Sequence, residues 1–150
     1  TETTVYSFSV PANTLGSTKA LRLTLIGDYL NNSGAGAGYT ARVKYGATTM
    51  GVYGTTSFTT NASRRKVFLQ FDLSAANATN AQRGIGHLVT TDAGADAFDA
   101  GAATDFRWSG HTAVAEDSTG ALTLAVTIQP GTAAATISFR AMTVQLELLD

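Results

Sequence analysis

The chain is 150 residues long with no cysteine, a formal net charge of −1 and only 14% charged residues. That excludes disulfide staples, thiolate metal ligands and a cysteine nucleophile, and it leaves no basic footprint for nucleic acid. No apolar run reaches the roughly 18–20 residues of a membrane-spanning helix, so membrane insertion is not expected.

The length fits one domain, residues 1–150, large enough to bury roughly 70% of the surface its unfolded chain would expose. The first strand is predicted over Thr3–Val10, with Tyr6, Phe8 and Val10 on one parity and Ser7 and Ser9 on the other. Pro11 ends it, because proline cannot donate to a ladder. Lys19–Leu30, KALRLTLIGDYL, is the organising strand: Leu21, Leu23, Leu25 and Tyr29 alternate with Arg22, Thr24 and Asp28, the period-two mark of a half-buried strand. Gly27 within it signals a bulge or a close backbone approach. Asn31–Gly38 reads as a flexible glycine-rich turn. Its glycines at 34, 36 and 38 miss the G-x-G-x-x-G pattern and no helix follows to cradle a phosphate.

Tyr39–Tyr45 alternates almost perfectly, and Thr48–Tyr53 follows beyond Gly46 as a hairpin partner or a longer crossing. Arg65–Leu73 places Val67, Leu69, Phe71 and Leu73 inward and leaves Phe68 among Lys66, Gln70 and Asp72. Gly84–Thr91 is a shorter strand with Ile85, His87 and Val89 on one parity, and residues 92–106 carry no regular period. Arg107–Ala115 and the strand Leu122–Gln129 are expected to form a hairpin across AEDSTGA, with Gly120 supplying positive φ. The last strand, Thr136–Leu149, changes parity, which a bulge near Ala141 or burial on both faces would explain. Eight or nine strands without helical periodicity predict an all-β antiparallel sandwich of jelly-roll topology. An up-and-down barrel or an immunoglobulin-like sandwich are the alternatives.

No constellation announces a reaction, so the chain is expected not to be an enzyme and to need no cofactor. Asp92, Asp96, Asp99 and Asp105 miss the spacing of a calcium loop. His87 and His111, the only histidines, form no zinc-binding pair. There is no G-x-S-x-G, and WSGH at 108–111 lacks the small-residue elbow of a serine nucleophile. Asn31, Asn61 and Asn77 stand in glycosylation acceptor patterns, which matter only in a protein secreted by a eukaryote. Arg107, Trp108 and His111 are the candidate glycan or receptor contact, since an aromatic ring stacks on a sugar face while polar neighbours fix its hydroxyls. The plainer reading makes Trp108, the sole tryptophan, a core or subunit-interface residue. Phe68 and the doubly apolar end strand, Met142, Val144, Leu146 and Leu148, are the candidate oligomer interface.

The segments VPANTLG (10–16), ALRLTLIGDYLNNSGAG (20–36), RVKYGATT (42–49), FDLSAANATNAQ (71–82), AEDSTGALTLAVTIQP (115–130) and ATISFRAMTVQLELL (135–149) resemble recurrent modules of tailed-bacteriophage virion proteins: fibres, spikes and capsid projections. The resemblance covers nearly the whole chain through strand and turn signatures. It implies a homotrimeric jelly roll on the virion surface, touching other virion proteins or a host-surface glycan. A capsid decoration protein and a free carbohydrate-binding module are the alternatives. It carries no catalytic residues over to this chain, and no heptad or collagen-like shaft is present.

Overall fold

The computed structural model describes residues 1–91, 93 and 106–150. Among them run nine strands: β1 (Thr3–Val10), β2 (Ala20–Asn31), β3 (Tyr39–Tyr45), β4 (Thr48–Gly54), β5 (Asn61–Ala78), β6 (Ala81–Thr90), β7 (Phe106–Val114), β8 (Leu122–Pro130) and β9 (Ile137–Leu149). They form two antiparallel sheets, ordered β1-β8-β3-β4 and β7-β6-β5-β2-β9, whose apolar faces pack as a β-sandwich.

The parity of β2 explains its central place. Leu21, Leu23, Leu25 and Tyr29 are buried, opposite Leu73, Phe71, Leu69 and Arg65 of β5 and Leu148, Leu146, Val144 and Phe139 of β9. The parity change of β9 is a bulge: Thr143 pairs with Ile26 and Ala141 with Gly27, so Met142 is the extra residue. Gly27 also permits a close approach, because a Cβ there would lie 2.5 Å from the Arg140 carbonyl oxygen. The close-approach reading of this glycine holds, and the bulge lies opposite it in β9 rather than in β2. β3 and β4 form the hairpin, turned at Gly46 with φ +60°, the region glycine adopts without strain.

Three expectations need correction. β7 and β8 are not a hairpin: β7 pairs with β6 in the five-stranded sheet, and β8 lies between β1 and β3 in the other. The connection is held at the end of the sandwich instead. Ser118 N–H donates to the Thr79 carbonyl (2.9 Å), Asn13 N–H to the Ser118 carbonyl (2.8 Å), and Gln82 Nε2 to the Glu116 carbonyl (2.8 Å). These bonds replace the ladder a hairpin would have made, and Gly120 is not among the positive-φ glycines. Nor is the 31–38 turn loose. Ala37 and Phe58 bridge, and a Cβ at Gly36 would meet Ser57 Oγ at 2.5 Å.

On β6 the inner parity holds Gln82, Gly84, Gly86, Leu88 and Thr90, all buried, while Ile85 (63% exposed), His87 and Val89 face outward. The glycines make room for rings from neighbouring strands. A Cβ at Gly84 would sit 2.5 Å from Phe71 Cζ, and one at Gly86 would strike the Tyr53 hydroxyl and lie 2.6 Å from the Gln70 carbonyl oxygen. Gly110 of β7, opposite Gly86, faces open space. Gly86→Ala should therefore destabilise the fold by about 1–3 kcal/mol through overpacking. Gly110→Ala should leave stability unchanged or raise it by up to ~1 kcal/mol; urea unfolding of the two variants side by side measures the contrast.

Candidate functional site

Each sheet ends in two edge strands, and the edges meet in pairs: β4 packs near β7 on one flank, β1 near β9 on the other. A cleft opens at each flank. The first, about 400 Å³, is lined by Met50, Gly51, Val52 and Tyr53 of β4, Phe71, and Arg107 to His111 of β7. The second, about 380 Å³, is lined by Tyr6, Phe8, Pro11, Thr14, Leu21, Leu146 and Leu148.

The candidate glycan residues all line the first cleft, on opposite faces of their strand. Trp108 pairs with Leu88 and turns inward, its ring stacked on Phe106 (centroids 6.0 Å, 19° between planes) and edge-on to Phe58. Arg107 and His111 pair with the outward-facing Val89 and Ile85 and are exposed at the rim. Trp108 is thus part of the core margin and of the cleft wall together. The polar group that reaches deepest is Tyr53. It is 4% exposed, its hydroxyl lies against Gly86 and near Gly51, and it makes no hydrogen bond with the described residues. Burial alone pushes its phenol up to about 12. Nothing in the sequence singles out Tyr53 or Gly110; the one trace is the pair of glycines on the inner parity of β6.

The five residues of the candidate interface separate. Leu146 and Leu148 line the second cleft, and Val144 packs on the core beside it. Phe8 (44% exposed) and Leu148 (46%) leave this groove open to solvent. Met142, at the bulge, is 64% exposed. Phe68 lies elsewhere, half-buried on the outer face of the five-stranded sheet. There it pairs with Ile26 and Val89, and its ring centre is 5.7 Å from that of His87.

Carboxylates on the sheet faces are engaged by cations. Asp28 points outward from β2 yet is only 1% exposed. Arg64 Nη1 donates to its Oδ1 (2.9 Å), and Arg140 grips both oxygens, Nε to Oδ1 at 2.9 Å and Nη2 to Oδ2. The Arg140 hydrogen bonds, aided by the charges of Arg64, Arg140 and Lys66, hold this carboxyl below its ordinary value against the opposing effect of burial. Arg22 clasps Asp72 bidentately at 2.8 and 2.7 Å. Across the molecule Glu2 joins Lys44 (2.6 Å), Arg42 (3.3 Å) and the Thr127 hydroxyl (2.6 Å).

Among the described residues no group of three or more His, Asp or Glu is placed to hold a metal ion. Asp92, Asp96, Asp99 and Asp105 lie outside the described residues. Of the acceptor asparagines, Asn31 is buried and spends its amide on the Ala35 and Phe58 carbonyls at 2.9 and 3.0 Å. Asn61 accepts from the Ser63 N–H at 2.8 Å, and Asn77 lies at the irregular end of β5, between Ala75 and Ala78, with φ +63°.

Asp28→Asn should cost about 1–3 kcal/mol, less than for a fully enclosed pair because Arg140 is more than half exposed. Because folding lowers the pKa of Asp28, its contribution is complete above the unfolded value near 3.9 and fades as pH falls through the folded value. The stability gap between wild type and Asp28→Asn, measured by urea denaturation from pH 6 down to about 2, should therefore narrow below about pH 4.

Compared with protein-family models, with curated proteins and with solved structures, the chain matches none.

Proposed function

We propose that this chain is a non-enzymatic structural module of a tailed-phage virion, a trimeric jelly-roll sandwich displayed on the particle surface as a fibre, spike or capsid projection. The observation that carries the reading is the open apolar groove between β1 and β9. An exposed edge strand of 13 residues beside Phe8, Leu146 and Leu148 is a surface that folded proteins ordinarily cover, charge or interrupt. In β9 the last seven residues, Thr143–Leu149, contain one charge, Glu147, and no lysine or proline. Neighbouring copies of the chain are the occupant this surface suits, since β1 and β9 run side by side and each offers apolar side chains beside an unpaired backbone edge.

The jelly-roll assignment draws support from the way the chain passes between sheets. β1, β3, β4 and β8 belong to one sheet, and β2, β5, β6, β7 and β9 to the other. The chain crosses between the sheets at β1–β2, β2–β3, β4–β5, β7–β8 and β8–β9, as jelly-roll and other Greek-key sandwiches do, while β3–β4 and β5–β6–β7 stay within one sheet. The virion assignment rests on the strand-and-turn resemblance, whose segments supply both sheets. The engagement of Asp28, Asp72 and Glu2 with arginine and lysine favours a structural over a catalytic use of these carboxylates.

Native mass spectrometry at micromolar concentration should show three copies of the 15.5 kDa chain. The pair Leu146→Lys and Leu148→Lys should shift it to monomer while the far-ultraviolet spectrum stays that of a β-protein. A wild-type chain that stays monomeric defeats the trimer, and binding of that monomer to empty capsids would favour the decoration protein.

A further inference from the structure

The cleft between β4 and β7 has the parts of a small-ligand site. Its volume of about 400 Å³ lies within the ordinary range for such sites, roughly 300–1,000 Å³, which combine apolar walls with a few placed polar groups. The wall is Trp108, with Phe71 and Met50. The floor is thinned by glycine: Gly51 on β4 and Gly110 on β7 line it, and a Cβ added at Gly110 would meet nothing. Tyr53, 4% exposed, lines this space as well, and its hydroxyl, beside Gly51 and Gly86, makes no hydrogen bond with the described residues. A phenol hydroxyl takes a hydrogen-bond partner when its ring is buried. A guest in the cleft can be that partner.

The chemistry of the guest follows from the lining. Tyr53, Ser109 and His111 offer hydroxyl and imidazole groups, and β7 offers the unpaired backbone of an edge strand. Hydroxyl-rich ligands use such groups, and the indole supplies the surface that the C–H face of a sugar ring covers. Arg107 adds a permanent positive charge, and among the described residues no carboxylate lines the cleft. A guanidinium recognises a carboxylate bidentately.

We propose that the β4/β7 cleft is a binding site for an acidic saccharide, with the Tyr53 hydroxyl as its internal hydrogen-bond partner, Trp108 as its apolar wall and Arg107 as its counter-charge. The site builds on the glycan contact expected from the sequence at Arg107, Trp108 and His111 and needs none of the assembly proposed above, because the apolar groove lies on the other flank.

Trp108 is the only tryptophan, so emission excited at the red edge of the indole band, where the tyrosines do not absorb, reports on this cleft. The full chain is titrated with sialyllactose and with trigalacturonic acid, each beside its neutral counterpart, lactose or galactotriose. At least one acidic sugar should give a saturable change of Trp108 emission, and its neutral counterpart should bind about tenfold more weakly or not at all. Gly110→Phe should abolish the response by filling the space without touching the fold, which thermal melting verifies; Gly110→Val serves if the larger ring perturbs it. Tyr53→Phe should weaken binding about 3–10-fold, the usual worth of one hydrogen bond, and Arg107→Ala should erase the preference for the acid. No saturable response to either acid through the millimolar range, or full binding by the folded Gly110 variant, overturns the site. Equal affinity for acid and neutral sugars overturns the acidic class. None of these outcomes bears on the trimer, which native mass spectrometry reads separately.

Discussion

The fold depends on β2 being gripped from both sides. It lies between β5 and β9 with its leucines facing one way, and each fully buried leucine is worth about 1.5–3 kcal/mol. Period-two side chains make that gain conditional on register, because a slip of one residue would turn every leucine to solvent. The outer face guards against the slip. Arg22 meets Asp72 at one end of β2, and Asp28 meets Arg64 and Arg140 at the other. A shift of any of the three strands would separate a charge from its partner, and for Asp28 that charge is buried. Surface ion pairs add little stability as a rule; here their stronger role is to define which residue faces which.

The interior away from β2 is arranged differently. Rings fill the sandwich where β6 has no side chains, so Phe71 and Tyr53 lie over Gly84 and Gly86. At the opposite end an aromatic cluster runs from Tyr29 and Tyr39 through Phe58 to Phe106 and Trp108, with the Arg65 guanidinium 4.8 Å above the Phe58 ring. Tyr29 and Tyr39 spend their hydroxyls inside the protein, on the carbonyls of Ala37 and Gly38 and on Thr90 Oγ1. Tyr53 does not. That difference separates a tyrosine used for packing alone from one whose hydroxyl has no hydrogen-bond partner among the described residues.

Much of this was legible because strand identity is a local property. Alternation marks β1 and β3 to the residue, and the parity change in β9 points to a bulge near Ala141, which the structure places at Met142. Where the reading failed, the deciding contact was distant in sequence. The β7–β8 connection looks like a hairpin from its turn residues, and only Thr79, Gln82 and Asn13 show that it crosses between sheets. β5 begins at Asn61, four residues before the start expected at Arg65, because pairing with Asn31 at the end of β2 extends it through polar residues. The candidate residues fared likewise. Leu146 and Leu148 could be marked from their own strand, and so could Trp108. Tyr53 could not, because its meaning comes from the glycines of a strand about thirty residues away.

The two flanks show why the sheet edges deserve separate treatment. Both present unpaired backbone, and unpaired backbone is an invitation to any strand. What distinguishes them is the side chains that flank it. Beside β9 stand Leu146, Leu148, Phe8 and Tyr6, which offer a partner little beyond dispersion and the release of water; that suits a large, complementary protein surface and gives a small polar molecule no orientation. Beside β7 stand Arg107, Ser109 and His111 around a hollow that Gly110 keeps empty. A protein surface closing over that hollow would have to bring an anion to the arginine, because burying the charge unpaired is costly; the anionic guest proposed for it would neutralise that charge. The same sandwich thus presents two flanks of different chemistry, one apolar throughout and one polar around a hollow, and the difference is made by a handful of side chains on strands whose backbones are nearly alike.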